Sequence, residues 1–310
     1  MDKRVLGDGG PELSVVGVGC NNFGARIDAA ASAAVVHAAL DAGITHFDTA
    51  EMYGGGRSEE FLGAALGPRR DDVVIATKFL PRSADQPYRP GTLRDHIRSS
   101  AEGSLRRLGT DHIDLYYQHF PDADAPIEEV LEAMDELVRE GKVLHIASSN
   151  FSAEQIERAA AVAADKGWAR FTGTQIHWSL LSRDVEESVV PAATAVGLGV
   201  VPYFPLASGM LTGKYRRNQE FPSGSRLAGN AERASSIATD ENFAKVEAFE
   251  AFAADRGHTV VELAIGWLLA QPSVASVIAG ATKPEHIAAN AGSVWTLSPE
   301  EVDAVAHLAR

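Results

Sequence analysis

The chain has 310 residues, of which 45% are hydrophobic and 23% are charged, and these proportions are typical of a globular enzyme rather than a disordered or fibrous protein. Its formal net charge of −14 argues against nucleic acid or an anionic membrane as a partner, because both require a basic surface. The single cysteine, Cys20, cannot form an internal disulfide, so the fold does not require an oxidising compartment.

The amino-terminal residues lack the apolar run of a signal peptide, and no segment approaches the roughly 18 consecutive apolar residues of a membrane helix. We therefore expect a cytoplasmic protein that neither spans a membrane nor binds nucleic acid. The sequence carries no signal for its oligomeric state.

Short runs rich in Val and Ile alternate with longer amphipathic stretches rich in Ala, Leu, Glu and Arg, which is typical of βα units with a parallel sheet. Eight such units predict an α/β fold, a single-domain (β/α)8 barrel over residues 1–310, with reactive groups at the carboxyl ends of the strands. The predicted strands are residues 14–19, 44–48, 73–78, 112–119, 143–149, 172–177, 199–204 and 274–280.

Several helices have recognisable ends. Ser58 predicts the start of one helix, which Gly67-Pro68 would close, and Ser152 opens a Ser-x-x-Gln capping box. Apolar residues at helical spacing predict a core-facing helix over residues 127–138.

The segment after the seventh predicted strand is longer than the others. Residues 208–241 are rich in Gly, Ser and Arg and predict a long loop, with helices resuming at Asn242 and an extra helix at the carboxyl terminus. Loops of this length in a compact domain are usually functional.

Polar side chains end three consecutive predicted strands. The second strand ends at Asp48, the third at Lys78 and the fourth at His119, while Tyr53 lies in the loop after the second. A barrel brings the ends of neighbouring strands to one rim. Each residue alone also fits a structural role as a strand end, a turn or a packing group, but their convergence favours a functional site.

These four groups explain one another chemically. A free tyrosine has a pKa of about 10, so roughly 4 kcal/mol separates it from an acid that works at neutral pH. An adjacent lysine lowers the pKa of a phenol by about 1–3 units, and Asp48 would keep Lys78 charged and in place. The prediction is that Tyr53 protonates a forming alkoxide while His119 polarises the carbonyl through a hydrogen bond.

A second set of residues suggests a nucleotide. Ser149 and Asn150 follow the fifth strand, Gln175 lies near the end of the sixth, and Tyr203 near the end of the seventh. Amide side chains suit a carboxamide, and an aromatic ring suits a flat ligand ring. Asn150 also fits a helix cap, and Gln175 also fits a structural role as a hydrogen-bond partner of backbone groups.

The usual phosphate and metal motifs are missing. Residues 14–24 do not complete the G-x-G-x-x-G pattern, and residues 209–215 fail as a Walker A loop. The histidines form no zinc motif, so we predict no metal, and no G-x-S-x-G elbow supports a nucleophilic hydrolase.

Eight motifs cover nearly the whole chain: GVGCNNFG, HFDTAEMYGGGRSEEFLG, VVIATK, DHIDLYYQH, GKVLHIASSNFS, TQIHWSLL, YFPLASGMLTGKY and IAGATKPEHIAAN. In these motifs and their order the sequence resembles the aldo-keto reductase family. The resemblance implies a (β/α)8 barrel that binds an extended nicotinamide dinucleotide without a Rossmann domain. It also implies a tetrad of Asp48, Tyr53, Lys78 and His119, with Tyr53 as the acid/base.

The resemblance assigns further residues to the cofactor, NADP(H). It implies that Ser149, Asn150 and Gln175 hold the nicotinamide carboxamide and that Tyr203 stacks on its ring. The other implied contacts are Gly19, Asn21, Asp48, Phe204, Leu206, Ser208, Lys214, Arg226, Gly280, Thr282, Lys283, His286 and Asn290.

Departures from the family pattern fall at the adenosine end. Many members that prefer NADPH have a lysine where this chain has Gly280, and an arginine or glutamine where it has His286. A glutamate commonly stands where it has Ala289. Lys283, beside Thr282, partly replaces the missing charge. We expect NADP(H), and NAD(H) stays open.

The resemblance implies hydride transfer between NADP(H) and an aldehyde, ketone or sugar. One alternative is a cofactor-binding regulatory subunit with little turnover, as in relatives that resemble potassium-channel β subunits. Another is a barrel hydrolase or lyase with Asp48 or Glu51 as base. Residues that fit either the mouth of the site or the core are Phe23, Met52, Phe79, Phe120 and Trp178.

Overall fold

The computed structural model describes residues 1–82 and 88–309. A short antiparallel hairpin comes first, and eight parallel strands then form a closed barrel. The strands are β1 (Lys3–Val5), β2 (Glu12–Ser14), β3 (Val16–Gly19), β4 (His46–Asp48), β5 (Val74–Phe79), β6 (Ile113–Gln118), β7 (Val143–Ser149), β8 (Phe171–His177), β9 (Gly199–Tyr203) and β10 (Val277–Gly280).

Helices surround the barrel and connect its strands. Between β9 and β10 the chain forms three helices instead of one, and a last helix follows the eighth βα unit. The helices are α1 (Ala29–Asp41), α2 (Arg57–Leu66), α3 (Leu93–Leu108), α4 (Ile127–Arg139), α5 (Ala153–Lys166), α6 (Val189–Ala195), α7 (Ala231–Ile237), α8 (Asp240–Ala254), α9 (Val260–Leu269), α10 (Pro284–Ala291) and α11 (Pro299–Leu308).

The predicted (β/α)8 barrel is confirmed, including the long connection after the seventh barrel strand and the extra helix at the carboxyl terminus. The barrel closes through pairing of β10 with β3 and β9. Asp48, at the end of β4, pairs with Gly19 on β3 and with Ala76 on β5. This register places the carboxyl ends of the strands on one rim.

The hairpin of β1 and β2 closes the opposite end of the barrel, and the sequence prediction missed it by assigning Ser14 to the first barrel strand. Leu6 and Leu13 are fully buried and pack with the side chains inside the barrel. A Cβ at Gly173, near the start of β8, would lie 2.8 Å from Leu6 Cδ2, so Leu6 packs directly on this glycine. The hairpin therefore buries apolar surface that the open amino-terminal end of the barrel would expose.

Two predicted helix starts were wrong. The α2 helix begins at Arg57, with Gly56 as its N-cap, and the Ser58 hydroxyl is buried and donates to the Cys20 carbonyl oxygen at 2.9 Å. Helices resume before Asn242, because the Asn230 and Thr239 side chains cap α7 and α8.

The other helix predictions are confirmed. The capping box at Ser152 opens α5, and α4 buries the predicted apolar side over residues 127–138. Within residues 1–82 and 88–309, no helix is both long and apolar enough to cross a membrane.

Candidate active site

A buried ion pair lies at the carboxyl ends of β4 and β5. Asp48 is 2% exposed and Lys78 is 0% exposed, and Lys78 Nζ donates to Asp48 Oδ1 at 2.5 Å and to the Thr49 carbonyl oxygen at 2.7 Å. From β8, across the barrel, Gln175 Nε2 donates to Asp48 Oδ2 at 2.7 Å. Both carboxylate oxygens therefore have partners, as a charge buried this deeply requires.

Tyr53 is positioned by a turn that only glycine accommodates. It begins a 3₁₀ helix, Tyr53–Gly56, whose three glycines have φ angles of 60°, 69° and 92°. Residues with side chains rarely adopt such angles. A Cβ at Gly54 would lie 2.8 Å from the Phe23 carbonyl oxygen, so the turn also packs closely against the loop after β3. The Tyr53 ring centroid lies 5.2 Å from Lys78 Nζ.

His119 follows β6 and faces Tyr53 edge-on, with ring centroids 5.7 Å apart. Its backbone N–H donates to the Phe79 carbonyl oxygen at 3.0 Å, and its ring stacks on Phe120 with centroids 4.6 Å apart. Its Nδ1 atom is buried without a hydrogen-bond partner among the described residues. Burial, followed by the charge of Lys78, lowers the pKa of His119 to about 3, so the imidazole is neutral at pH 7.

The electrostatics of Tyr53 differ from the sequence expectation. Burial raises the pKa of the Tyr53 phenol above its ordinary value, and the opposing effect of Lys78 does not compensate. Burial also acts to lower the pKa of Lys78, but Asp48 and Tyr53 together raise it above its ordinary value. At neutral pH the site therefore contains a protonated phenol beside an ammonium group.

The predicted amide-binding residues form one hydrogen-bonded set. Asn150 Nδ2 donates to the His119 carbonyl oxygen at 2.9 Å, and its N–H donates to the Gln175 carbonyl oxygen at 3.1 Å. Tyr203 donates from its hydroxyl to Asn150 Oδ1 at 2.7 Å. Ser149 Oγ donates to the Gln175 carbonyl oxygen at 3.1 Å. Asn150 is therefore held by both β8 and β9, and it does not cap the following helix, since Ser152 does.

The segment after β9 has an unusual backbone. Phe204, Ala207 and Ser208 have φ angles of 54°, 46° and 58°, which L-residues seldom adopt and which cluster at functional sites. A Cβ at Gly209 would lie 2.8 Å from Lys214 Nζ, so the lysine side chain passes directly over that glycine. The backbone here folds back under a positively charged group.

The predicted adenosine-binding residues lie at the other end of the site. His286 Nδ1 lies 3.3 Å from both the backbone N and Oγ1 of Thr282, and Asn290 is buried. Burial, followed by Lys214 and then Lys283, lowers the pKa of His286. The two lysines therefore supply the positive charge at this end.

One cavity of about 700 Å³ joins these groups. Its volume is typical of a small-molecule or cofactor site. Every sequence-predicted site residue lines it except Lys78, which lies beneath Asp48 and Tyr53, and Lys283. The sequence analysis missed several lining residues, among them Asn22, Arg26, Thr212, Ser225 and Arg233. Arg26 and Arg233 lie in connections rather than at strand ends, so the barrel rule gave no signal for them.

The five ambiguous apolar residues separate clearly. Phe23, Phe79 and Trp178 are buried in the core, whereas Met52 and Phe120 are 48% and 43% exposed and line the cavity mouth. An apolar patch at the entrance to a polar site favours substrates with an apolar part.

Glu51, the alternative base, has a structural role. Its Oε1 atom accepts a hydrogen bond from the Leu80 N–H at 2.8 Å. Asp48 is likewise engaged by Lys78 and Gln175, so neither carboxylate is placed as a free base.

The chain belongs to the aldo/keto reductase family, whose family model matches residues 15–310. A probable voltage-gated potassium channel subunit beta of Oryza sativa subsp. japonica is 36% identical over 98% of this chain and 95% of its own length. The uncharacterized oxidoreductase YrpG of Bacillus subtilis (strain 168) is 36% identical over 93% of this chain and 89% of its own. The probable aldo-keto reductase 1 of Glycine max is 37% identical over 93% of this chain and 83% of its own length.

The family and the relatives named as reductase or oxidoreductase support oxidoreduction of a small-molecule substrate. The barrel with a polar rim at the carboxyl ends of its strands is consistent with this class of chemistry.

Proposed function

We propose that residues 1–310 form one catalytic domain that reduces an aldehyde or ketone with NADP(H), with Tyr53 as the general acid. The observation that carries the proposal is the phenol of Tyr53 at the floor of the cavity, 5.2 Å by its ring centroid from the Lys78 ammonium group. Asp48 holds Lys78 in place through their ion pair. This arrangement supports proton donation to a small molecule in the cavity.

The residues of the cavity fit a nicotinamide dinucleotide. Asn21 Oδ1 is buried without a partner among the described residues and would accept a hydrogen bond from a ligand. Gly280 packs closely on the same loop, because a Cβ there would lie 3.3 Å from Asn22 Nδ2 and 3.7 Å from Asn21 Oδ1. Lys214 and Arg226 line the part of the cavity after β9 and would hold phosphate groups.

Specific residues would hold each part of the cofactor. Ser149, Asn150 and Gln175 would bind the carboxamide, and Tyr203 would stack on the nicotinamide ring. The segment from Phe204 to Lys214, with Arg226, would surround the pyrophosphate. The residues that would contact the adenosine part are Gly280, Thr282, Lys283, His286 and Asn290, and Gly19 and Asn21 are further proposed contacts of the cofactor.

The bound cofactor would supply a hydride to the carbonyl carbon of the substrate. Tyr53 would donate its phenolic proton to the carbonyl oxygen, and the neutral His119 would donate a hydrogen bond to the same oxygen. Lys78 stabilises the phenolate that Tyr53 becomes, and the Asp48–Lys78 pair keeps that positive charge fixed. Because burial keeps Tyr53 protonated, its phenol is in the form that can donate a proton for reduction near neutral pH.

The cofactor preference would be for the phosphorylated form. Lys214 and Lys283 both act on the pKa of His286, so two ammonium groups lie near the Thr282 end of the cavity. A 2′-phosphate would be attracted there. Fluorescence titration with NADPH and NADH should therefore give the lower Kd for NADPH.

The reductase proposal is tested by the loss of cofactor absorbance when the protein is mixed with NADPH and 4-nitrobenzaldehyde. Tyr53→Phe removes only the hydroxyl, so we expect kcat to fall by about 10²–10⁴ while NADPH binding is retained. No turnover by the wild type, or full activity of Tyr53→Phe, would contradict the proposal.

A second candidate function is an accessory subunit that binds the cofactor with little turnover. Two plant relatives, 36% and 35% identical over nearly all of this chain, are named as probable voltage-gated potassium channel subunits beta. Co-purification of the protein with tightly held cofactor, together with negligible turnover on a broad panel of carbonyl compounds, would favour this function.

A further inference from the structure

Three arginines line the cavity where the loops after β3 and β9 meet. They are Arg26, Arg226 and Arg233. Among the lining residues that the structure describes, Asp48 is the one carboxylate, and it is paired with Lys78. The chain carries a formal net charge of −14, so a cationic cavity wall is a local departure from the protein as a whole.

None of the three guanidinium groups forms an ion pair with a carboxylate in the part of the chain that the structure describes. Arg26 Nη2 donates to the Gly224 carbonyl oxygen at 2.7 Å, which joins the loop after β3 to the segment after β9. Arg233 Nη1 donates to Ser208 Oγ at 3.3 Å. By contrast, Arg217, on the same segment, pairs with Asp240 at 2.9 Å.

The arginines are close to one another and to the reacting end of the cavity. The Cζ atoms of Arg226 and Arg233 lie 4.9 and 5.2 Å from the centroid of Phe204, whose ring meets that of Tyr203 edge-on at 5.3 Å. Burial, followed by Arg233 and Arg26, lowers the pKa of Arg226, and Tyr53 acts on it in the opposite direction. Arg226 is thus within electrostatic reach of the other two arginines and of the proposed acid.

We propose that the carbonyl substrate carries an anionic group, a carboxylate or a phosphate, which Arg26 and Arg233 bind while the carbonyl meets Tyr53. The inference rests on the proposed reductase function. An anion would relieve the repulsion among the three guanidinium groups, and guanidinium forks match carboxylate and phosphate geometry.

The cofactor does not account for all of this charge. Lys214 and Lys283 lie near Thr282 and His286, and Arg226 is the arginine that we assign to the pyrophosphate. Arg26 and Arg233 are then available to the substrate. Met52 and Phe120, exposed at the mouth, would contact the carbon skeleton between the two polar ends.

The test compares aldehydes of similar shape but different charge, using the NADPH-loaded wild-type protein. The neutral substrate is 4-nitrobenzaldehyde, and the anionic ones are 4-carboxybenzaldehyde and 4-formylphenyl phosphate, which separate carboxylate from phosphate recognition. We expect kcat/KM to be at least about tenfold higher for one anionic substrate, chiefly through KM. The advantage should shrink as salt is raised, because exposed charges are screened.

Variants assign the effect to the arginines. Arg26→Gln and Arg233→Gln should each lower kcat/KM for the preferred anionic aldehyde by about tenfold, with less than about twofold change for 4-nitrobenzaldehyde. The Kd of NADPH should be unchanged. Arg217→Gln, which removes the same charge from the same segment outside the cavity, is the matched control and should leave both substrates unaffected.

Two results would overturn the inference while leaving the reductase function intact. One is equal kcat/KM for the neutral and anionic aldehydes in the wild type. The other is that the variants weaken NADPH binding and keep the substrate ratio, which would assign the arginines to the cofactor.

Absence of turnover with every aldehyde would instead refute the reductase function. Calorimetric titration of the NADPH-loaded protein with benzoate and benzamide then decides whether an anion site exists. Binding of benzoate alone, lost in Arg233→Gln, supports the site, and absence of benzoate binding overturns it.

Discussion

The two ends of the barrel differ in how they are closed. At the amino-terminal end, the β1–β2 hairpin covers the strands with Leu6 and Leu13, both fully buried. At the carboxyl-terminal end, the strands open into a cavity of about 700 Å³, where polar atoms of His119 and Asn21 are buried without partners among residues 1–82 and 88–309. One end is therefore completed by the chain itself, whereas the other has unused hydrogen-bonding and charge capacity that suits a ligand.

Backbone conformation also distinguishes the carboxyl-terminal end of the barrel. Strained left-handed backbone conformations occur beside the cavity, at Phe204, Ala207 and Ser208. Such conformations cost free energy and cluster at functional sites. This difference predicts that residues important for stability and residues important for function are separated along the barrel axis. Substitutions at the hairpin should change the free energy of unfolding, and substitutions at the rim should change binding and turnover.

The largest expected effect is at the Asp48–Lys78 pair, which we expect to contribute both to the free energy of unfolding and to turnover. Lys78→Met leaves the Asp48 carboxylate buried without its cation, which should cost about 3–5 kcal/mol of unfolding free energy as well as turnover. The double variant Asp48→Asn with Lys78→Met removes both charges and should recover most of the stability, but not the activity. Denaturant unfolding with parallel kinetics measures both, and recovery of turnover in the double variant would contradict the assigned role of Lys78.

The next largest effect is expected at the amino-terminal end, where a substitution should lower stability without changing activity. Leu6→Ala removes a buried side chain that packs on Gly173 and should lower the free energy of unfolding by about 2–5 kcal/mol. Well below the unfolding transition, kcat/KM should stay within about twofold of the wild type. Val5→Ala, on the same hairpin but 57% exposed, is the matched control and should cost little. A large loss of activity in folded Leu6→Ala would show that the two ends are coupled.

A third prediction concerns His46, which lies on β4 two residues before Asp48 and whose Nδ1 is within 2.8 Å of Ser276 Oγ. Burial lowers the pKa of His46 from 6.5 to about 4, and Asp48 has a smaller effect in the opposite direction. Between these values the unfolded chain binds more protons than the folded one, so this contribution is complete above pH 6.5 and is lost as pH falls towards 4. Each pH unit in that window should remove about 1.4 kcal/mol.

His46→Gln cannot titrate, so its free energy of unfolding should depend less steeply on pH than that of the wild type between pH 4 and 6. Above pH 7 the two proteins should respond alike. Urea unfolding at several pH values measures the slopes, and parallel slopes throughout would contradict the assignment to His46.

The smallest expected effect is at the rim. Tyr203→Phe removes the hydroxyl that donates to Asn150 Oδ1, a bond worth about 1 kcal/mol. Asn150 then loses one restraint on its orientation, so NADPH binding should weaken by about fivefold with little change in Tm. Fluorescence titration measures this, and an unchanged Kd would mean that Asn150 is positioned by the β8 contacts alone.

Much of the site could be predicted from the sequence, because in a parallel barrel the last residue of each strand reaches one rim. That rule places Asp48, Lys78 and His119 together without knowledge of any contact. The long interval between the last two predicted strands separately indicated the extended segment after β9, and residues of that segment line the cavity. The net pKa of Tyr53 could not be predicted, since it depends on how burial balances the charge of Lys78.

The sequence by itself determined the number and order of the barrel strands and the residues at their carboxyl ends, because hydrophobic periodicity is a local property. The tertiary structure alone decided the rest. The hairpin strands are only three residues long, and their value lies in covering the barrel, which is far away in sequence. Arg26 and Arg233 share the cavity through contacts such as Arg26 with Gly224, which lie 198 residues apart along the chain. No local pattern encodes such contacts, since their free energy arises only when the folded barrel brings both loops to the same rim.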